Sequence, residues 1–135
     1  MTPEQKALVL STADVAFASG RFADHFYERL FTLAPETRAL FSDDITSLKF
    51  KFMNTLTSIV GAIERPDMFG SILMHLGRQH HRFGVRRVHY GPVGEALLGT
   101  VHQILGDRLT PPVQEAWAAL YDEIAARMQE GARAD

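Results

Sequence analysis

The chain has 135 residues, of which 46% are hydrophobic and 22% are charged, and this is typical of a single globular domain. Its net charge of -2 gives no indication of a nucleic-acid-binding surface, and the absence of cysteine excludes disulfides, thiolate metal ligands and a cysteine nucleophile. No apolar run is long enough to cross a membrane, and the first residues, MTPEQKALVL, are typical of a helix start and not of a signal peptide. We therefore expect one cytoplasmic domain over residues 1–135, as a monomer or a weak homodimer.

The sequence predicts helices throughout. The first two helices run from Thr2-Pro3 to Gly20 and from about Arg21 to Leu33, and the short turn PETRAL then leads to Phe41. The next two run from the caps in SDDITS to about Ile63 and from ERPD to Gly84. The last two run from HYGP to Gly106-Asp107 and from Thr110-Pro111-Pro112 to a tail after Gly131 that we expect to fray. Gln5, three residues after Thr2, completes a predicted capping box. All six prolines lie at or near these boundaries, where a missing backbone N–H costs little. No segment alternates with the period of a half-buried strand, so we predict an all-α protein of six or seven helices.

Apolar residues recur at spacings of three and four along three of these helices. This spacing places them on one face, which predicts the core-facing stripe of each helix. The stripes are Val113, Trp117, Leu120, Ile124 and Met128 in the last helix, Val93, Leu97, Val101 and Ile104 in the one before it, and Leu48, Phe52, Leu56, Ile59 and Ile63 in the middle one.

The segment LGRQHHRFGV places two histidines side by side, so they point about 100° apart on a helix. His80 falls on the stripe of Leu73, Leu76 and Phe83, whereas His81 falls nearer solvent. His80 is then either a core histidine with a hydrogen-bond partner or a ligand. Because no two of the six histidines are four apart, a helical two-histidine zinc site is not predicted. A single imidazole is, in contrast, a good axial ligand for haem iron, where the macrocycle supplies four nitrogens.

Other catalytic patterns are missing from the sequence. Asp43-Asp44 precede a helix and are better interpreted as caps than as a catalytic carboxylate pair. The chain has no glycine-rich phosphate loop and no Gly-x-Ser-x-Gly motif. We therefore predict no catalytic residues of these classes.

Three separated motifs carry a family resemblance. LGRQHHRFGV followed by VHYGPVGEALLGTV resembles the proximal region of single-domain bacterial globins related to the haem domains of flavohaemoglobins. HFYERLFTLAPETRALF resembles their second helix and the corner phenylalanine, and AWAALYDEIAARM resembles their last helix. The match covers nearly the whole chain in order. It implies the globin fold, a three-over-three helical sandwich around a haem pocket, with haem b as the cofactor.

The resemblance also implies roles for individual residues. His80 matches the proximal iron ligand, in agreement with its place on the apolar stripe. Phe41 matches the phenylalanine that packs on the haem, and Tyr27 the distal tyrosine that hydrogen-bonds the iron-bound ligand. Val85 matches a haem contact, and Tyr90 the tyrosine found near the proximal histidine in flavohaemoglobins.

The middle helix aligns with a margin of one residue or more. Leu48 falls where many globins place a distal glutamine or histidine, and Phe52 falls one turn later. Lys51 falls where a basic residue could reach a haem propionate, although a solvated helix face is an equal alternative. Haem needs an apolar slot. We expect its lining to be Phe41, Leu48, Phe52, Leu76, Val85 and Leu97. Lys51, Arg78 and His81 are candidates for its mouth. For Phe41 and Phe52, simple core packing is the alternative.

Two positions depart from the flavohaemoglobin pattern. Leu48 cannot donate a hydrogen bond, so the distal polar role rests largely on Tyr27. The glutamate that hydrogen-bonds the proximal histidine is replaced by Ala132, and Glu130 lies two positions away on a different face. The sequence thus lacks one of the residues that support a peroxidase-like proximal effect in flavohaemoglobins.

Four functions follow from these observations. The first is a globin that reversibly binds dioxygen, together with nitric oxide and carbon monoxide. The second is a nitric oxide dioxygenase or weak peroxidase, which needs a separate reductase because this sequence contains no reductase domain. The third is a gas-sensing domain, and the fourth is a haem-free interaction module.

Overall fold

A computed structural model of the chain describes residues 1–133, which form six α-helices and three 3-10 helices without a strand. The α-helices are α1 (Pro3–Ala18), α2 (Phe22–Leu33), α3 (Ile45–Gly61), α4 (Pro66–Arg82), α5 (Tyr90–Leu105) and α6 (Pro111–Arg133). The 3-10 helices are Pro35–Leu40, Arg87–His89 and Gly106–Arg108. The predicted all-α class is confirmed. The tail was expected to fray after Gly131, but α6 continues to Arg133; the last two residues lie outside the described part of the chain.

Local sequence signals account for the helix ends. In α1, the amide of Gln5 donates to the Thr2 hydroxyl over 3.1 Å, and the Thr2 amide donates to the Gln5 side chain over 2.9 Å. This is the predicted capping box. The Asp44 carboxylate accepts from the Ser47 amide over 3.1 Å and so begins α3. Gly84, just after α4, has a φ of +98°, which an L side chain rarely adopts, and the chain turns away from the helix there.

The helices pack as two layers of three, with α1, α3 and α4 against α2, α5 and α6. Trp117 lies at the centre of the core, fully buried, and its indole N–H donates to the Thr12 hydroxyl over 2.9 Å. The predicted stripe of α6 is buried throughout. On α5 and α3 the stripes are confirmed in part, because Val93, Ile104, Leu48 and Phe52 are only half-buried. None of the helices in residues 1–133 is both long and apolar enough to span a membrane.

Candidate functional site

Aromatic side chains from α2, α3 and the connection between them converge on Tyr27. The ring of Phe41 meets the Tyr27 ring edge-on, with centroids 5.5 Å apart and planes at 85°. Phe52 from α3 lies 5.6 Å from the same ring, and it stacks on Phe26 at 4.4 Å. The structure thus brings together three residues that the sequence analysis assigned to the pocket. Edge-to-face and stacked pairs of this kind hold the side chains in defined positions.

The Tyr27 hydroxyl has no hydrogen-bond partner among residues 1–133, although the side chain is only 5% exposed. Every fully buried polar side-chain atom in the described chain has a partner, so this hydroxyl must face a space that solvent can enter. Burial raises the pKa of Tyr27 to about 12. The phenol is therefore neutral at physiological pH and remains a hydrogen-bond donor.

His80 lies in the last turn of α4, where its Nδ1 is 2.8 Å from the carbonyl oxygen of Leu76. A carbonyl can only accept, so Nδ1 must carry the proton and Nε2 keeps its lone pair. Protein atoms around the ring lower the pKa of His80 by desolvation, and the Leu76 carbonyl opposes this effect more weakly. The result favours a neutral imidazole with Nε2 available for a metal.

The side chain of His80 is accessible to solvent, and this argues against the alternative that His80 is a buried core histidine. His81 is exposed as well, so exposure does not distinguish the two. The predicted stripe also placed Phe83 on the buried face of α4, and this was wrong. Phe83 is the C-cap residue of α4 and is 76% exposed. The helical spacing that included Phe83 fails because α4 ends at Arg82. His80 is instead distinguished by its hydrogen bond to the Leu76 carbonyl.

The remaining predicted site residues lie around these two groups. Leu97 is buried, and Leu48 is half-buried against the core. The amide of Val85 donates to the His80 carbonyl over 3.0 Å, which attaches the segment after α4 to the histidine. Lys51 is exposed and forms no ion pair within residues 1–133, so neither of its two interpretations is favoured.

Two further predicted residues, Leu76 and Tyr90, are half-buried. Burial raises the pKa of Tyr90. Besides Lys51, the candidates for the mouth are Arg78, which is half-buried, and His81, which is exposed. Glu130 is exposed and pairs with no cation in the described chain.

Sequence reasoning missed Tyr121 of α6. Its hydroxyl donates to the backbone carbonyl of Tyr90 over 2.6 Å, which fixes the start of α5 against α6. Gly94 makes room for the ring, since a Cβ at this position would come within 2.9 Å of Tyr121 Cδ2. A glycine inside a helix costs about 1 kcal/mol relative to alanine, so its presence was a signal that something packs closely there.

Metal binding by protein side chains alone is not supported. Within residues 1–133, no group of three or more histidine, cysteine, aspartate or glutamate side chains could hold an ion. A metal at His80 therefore needs donors from a cofactor, and a porphyrin supplies four.

The globin family model matches residues 24–128, which contain Tyr27, Phe41, His80 and the α5 residues described above. The chain belongs to the globin family. As a globin it is a haem-binding protein, and the predicted family resemblance is confirmed.

Several relatives are known. The chain is 32% identical over 130 residues to a flavohemoprotein of Bordetella pertussis, an alignment that covers 93% of this globin and 32% of that protein. It is 31% identical over 119 residues to a neuroglobin of Dissostichus mawsoni, which covers 78% of this globin and 75% of the relative. The chain thus spans about a third of the length of the flavohemoproteins it matches.

Solved structures confirm the globin fold. A hexacoordinated heme protein from an anhydrobiotic tardigrade superposes with a TM-score of 0.89 at 15% identity, over 98% of this globin and 96% of that chain. An engineered carbene transferase, provisionally assigned as a nitric oxide dioxygenase of Rhodothermus marinus, superposes with a TM-score of 0.86 at 26% identity. That alignment covers 99% of this globin and 94% of the other chain.

Proposed function

We propose that this globin reversibly binds dioxygen, and also nitric oxide and carbon monoxide, at a b-type haem held by Nε2 of His80. The observation that carries the proposal is the Tyr27 hydroxyl, which lacks a partner within an otherwise aromatic wall. This hydroxyl faces a space that solvent can enter, so it can donate to a ligand that occupies that space.

The side chains fit a haem group. Haem is a large, flat, apolar molecule and needs an apolar slot with a few polar groups in defined positions. Half-buried residues from four parts of the chain offer such a surface: Phe41, Leu48, Phe52, Leu76 and Val85. His80 offers a neutral imidazole whose Nδ1 donates to the Leu76 carbonyl, which leaves Nε2 for the metal. Metal-binding histidines almost always have such a partner on the second ring nitrogen.

When bound, haem supplies an iron atom that takes a diatomic gas as a ligand. The chain itself orients the His80 ring and provides a hydrogen-bond donor, the Tyr27 hydroxyl. The Leu76 carbonyl holds the His80 ring in one tautomer, and the Phe41 and Phe52 rings pack against the Tyr27 ring and hold it in place. The Tyr27 O–H can donate to a gas that carries partial negative charge, and such bonds are stronger than neutral ones.

The sequence of α3 favours an open distal position. Leu48 has no donor atom, and α3 contains no histidine. We therefore propose that the ferrous, ligand-free protein is mainly five-coordinate. A low-spin, bis-histidine spectrum of the ferrous protein would contradict this part of the proposal.

A nitric oxide dioxygenase is the second candidate, favoured by the likeness to the Rhodothermus protein. The reaction NO + O2 + e⁻ → NO3⁻ consumes one electron per turnover, so it requires a separate electron donor. Adding nitric oxide to the oxygenated protein with a reductant tests it. Stoichiometric nitrate in repeated cycles supports catalysis, whereas a single turnover supports gas binding alone.

Titration of the purified protein with haemin tests the first proposal. We expect a Soret band that saturates at one haem per chain, and a ferrous form that takes up and releases oxygen reversibly. A chain that folds but gives no saturable Soret band would instead be a haem-free interaction module.

A further inference from the structure

Helices α4 and α6 cross with their backbones almost in contact. A Cβ added at Gly77 would overlap the carbonyl group of Met128 and lie 2.6 Å from its Cα. A Cβ added at Gly131 would overlap the carbonyl of Met74 and lie 2.8 Å from its Cα. Real Cβ atoms essentially never come within 3.0 Å of a heavy atom from another part of the chain, and backbone cannot rotate away as a flexible side chain can. Only glycine allows this crossing.

The two contacts are reciprocal. Gly77 lies three residues after Met74, and Gly131 lies three residues after Met128, so each glycine faces the carbonyl one turn before the other glycine. Two contacts one turn apart fix more than the distance between the helices. They also limit rotation and sliding of α4 against α6.

The first contact lies beside the group that orients His80. The peptide unit between Leu76 and Gly77 contains the carbonyl that accepts from His80 Nδ1 at 2.8 Å. The same peptide unit ends at the Cα of Gly77, where an added Cβ would overlap the Met128 carbonyl. A displacement of α4 at Gly77 therefore moves the acceptor and, with it, the plane of the imidazole.

We propose that Gly77 and Gly131 are positioning residues for the proximal histidine: by holding α4 against the backbone of α6, they fix where the Leu76 carbonyl presents the His80 ring. The inference rests on the proposed function, in which His80 binds the haem iron. A role limited to helix packing would change the stability of the protein but would leave the iron–histidine bond as it is.

Resonance Raman spectroscopy of the ferrous, ligand-free protein separates these roles, because the iron–histidine stretching band reports the strength and orientation of that bond. We compare Gly77→Ala and Gly131→Ala with Gly70→Ala, a matched change in α4. A Cβ at Gly70 would meet only Arg127 Nη1 at 3.9 Å, an ordinary contact. Because Gly131 lies in the last turn of α6, a Cβ there displaces α4 near Met74, two residues before Leu76, while the middle of α6 stays packed.

We expect a shifted iron–histidine band and about 10- to 100-fold weaker haem affinity in Gly77→Ala and Gly131→Ala, as for the loss of other groups that orient a metal ligand. Gly70→Ala should match the wild type in both measurements. An unshifted band in folded, haem-loaded Gly131→Ala overturns the inference, even if Gly77→Ala fails to fold. If the wild type itself shows no iron–histidine band, the proposed ligation fails instead, so the two failures are distinguishable.

Discussion

The Nδ1 of His80 lies 2.8 Å from the carbonyl oxygen of Leu76, one turn earlier in the same helix. This one contact sets the tautomer of the ring and leaves Nε2 as the only nitrogen that a metal can use. His81, its neighbour, has no side-chain hydrogen bond within the described residues. These two adjacent histidines are both exposed but differ in their hydrogen bonding.

Tyr27→Phe tests the distal donor. A hydrogen bond to a polarised acceptor contributes roughly 1.5–3 kcal/mol. Since about 1.4 kcal/mol is tenfold in an equilibrium constant, the variant should bind oxygen about one to two orders of magnitude more weakly. The loss should appear mainly as faster dissociation, measured by stopped flow, because the bond forms only after oxygen has bound.

Carbon monoxide is the internal control for this variant, because it is a poorer acceptor when bound and its dissociation should change much less. The pKa of about 12 for Tyr27 also predicts that the wild-type oxygen off-rate is independent of pH near neutrality, since the phenol stays protonated. An oxygen off-rate that is the same in Tyr27→Phe and the wild type would mean that Tyr27 only packs.

Tyr121→Phe tests the contact that the sequence did not predict. The change removes the hydroxyl that donates to the Tyr90 carbonyl over 2.6 Å and keeps the ring against Gly94. We expect a loss of about 0.5–1.5 kcal/mol in the free energy of unfolding, measured by urea denaturation. If the stability is unchanged, water replaces the hydroxyl at no cost and the bond does not hold α5 against α6.

Thr12→Val tests the core hydrogen bond of Trp117. Valine keeps the volume of threonine but leaves the fully buried indole N–H without an acceptor, at a cost of about 1–3 kcal/mol. Thr57→Val, at an exposed position of α3, is the matched control and should stay within about 0.5 kcal/mol of the wild type. Equal stabilities for the two variants would contradict the assigned role of Thr12.

The ion pair between Asp24 and Lys49 joins α2 to α3 over 2.8 Å. The hydrogen bond from Lys49 lowers the pKa of Asp24 below 3.8, so the Asp24 carboxylate takes up a proton less readily in the folded state than in the unfolded chain. The contribution to stability is therefore present above pH 3.8 and is lost as the pH falls through the folded pKa. Both groups are partly exposed, so Asp24→Asn should cost at most about 1 kcal/mol near neutral pH and nothing once the carboxyl is protonated. Thermal unfolding of the wild type and Asp24→Asn, near neutral pH and at a pH low enough to protonate Asp24, measures this effect. A stability difference between the two proteins that is the same at both pH values would contradict it.

Much of the fold could be predicted because its signals are local. The Thr2–Gln5 capping box begins α1 as predicted, and spacings of three and four identify the buried face of α6. The same reasoning failed at Phe83, because a period has no meaning beyond the residue where a helix ends. The end of α4 depends on the backbone conformation at Gly84, which spacing does not encode.

The candidate site was predicted less completely, because its decisive contacts join distant parts of the chain. Tyr27, Phe41 and Phe52 were assigned to the pocket from the family resemblance, and the structure does bring their rings together. The crossing of Gly77 with Met128 joins residues 51 positions apart, and in the sequence its only trace is a glycine inside a helix. Periodicity identifies a face but not the element that covers it.

Haem binding by His80→Ala and His81→Ala tests the central claim most directly. Each purified apoprotein is titrated with haemin, and the Soret absorbance and the rate of haem transfer to an excess of an apoglobin acceptor are measured. We predict that His81→Ala binds one haem with wild-type affinity, and that His80→Ala binds little haem or loses it rapidly. Retention of haem by His80→Ala together with its loss from His81→Ala would contradict the assignment of His80 as the iron ligand.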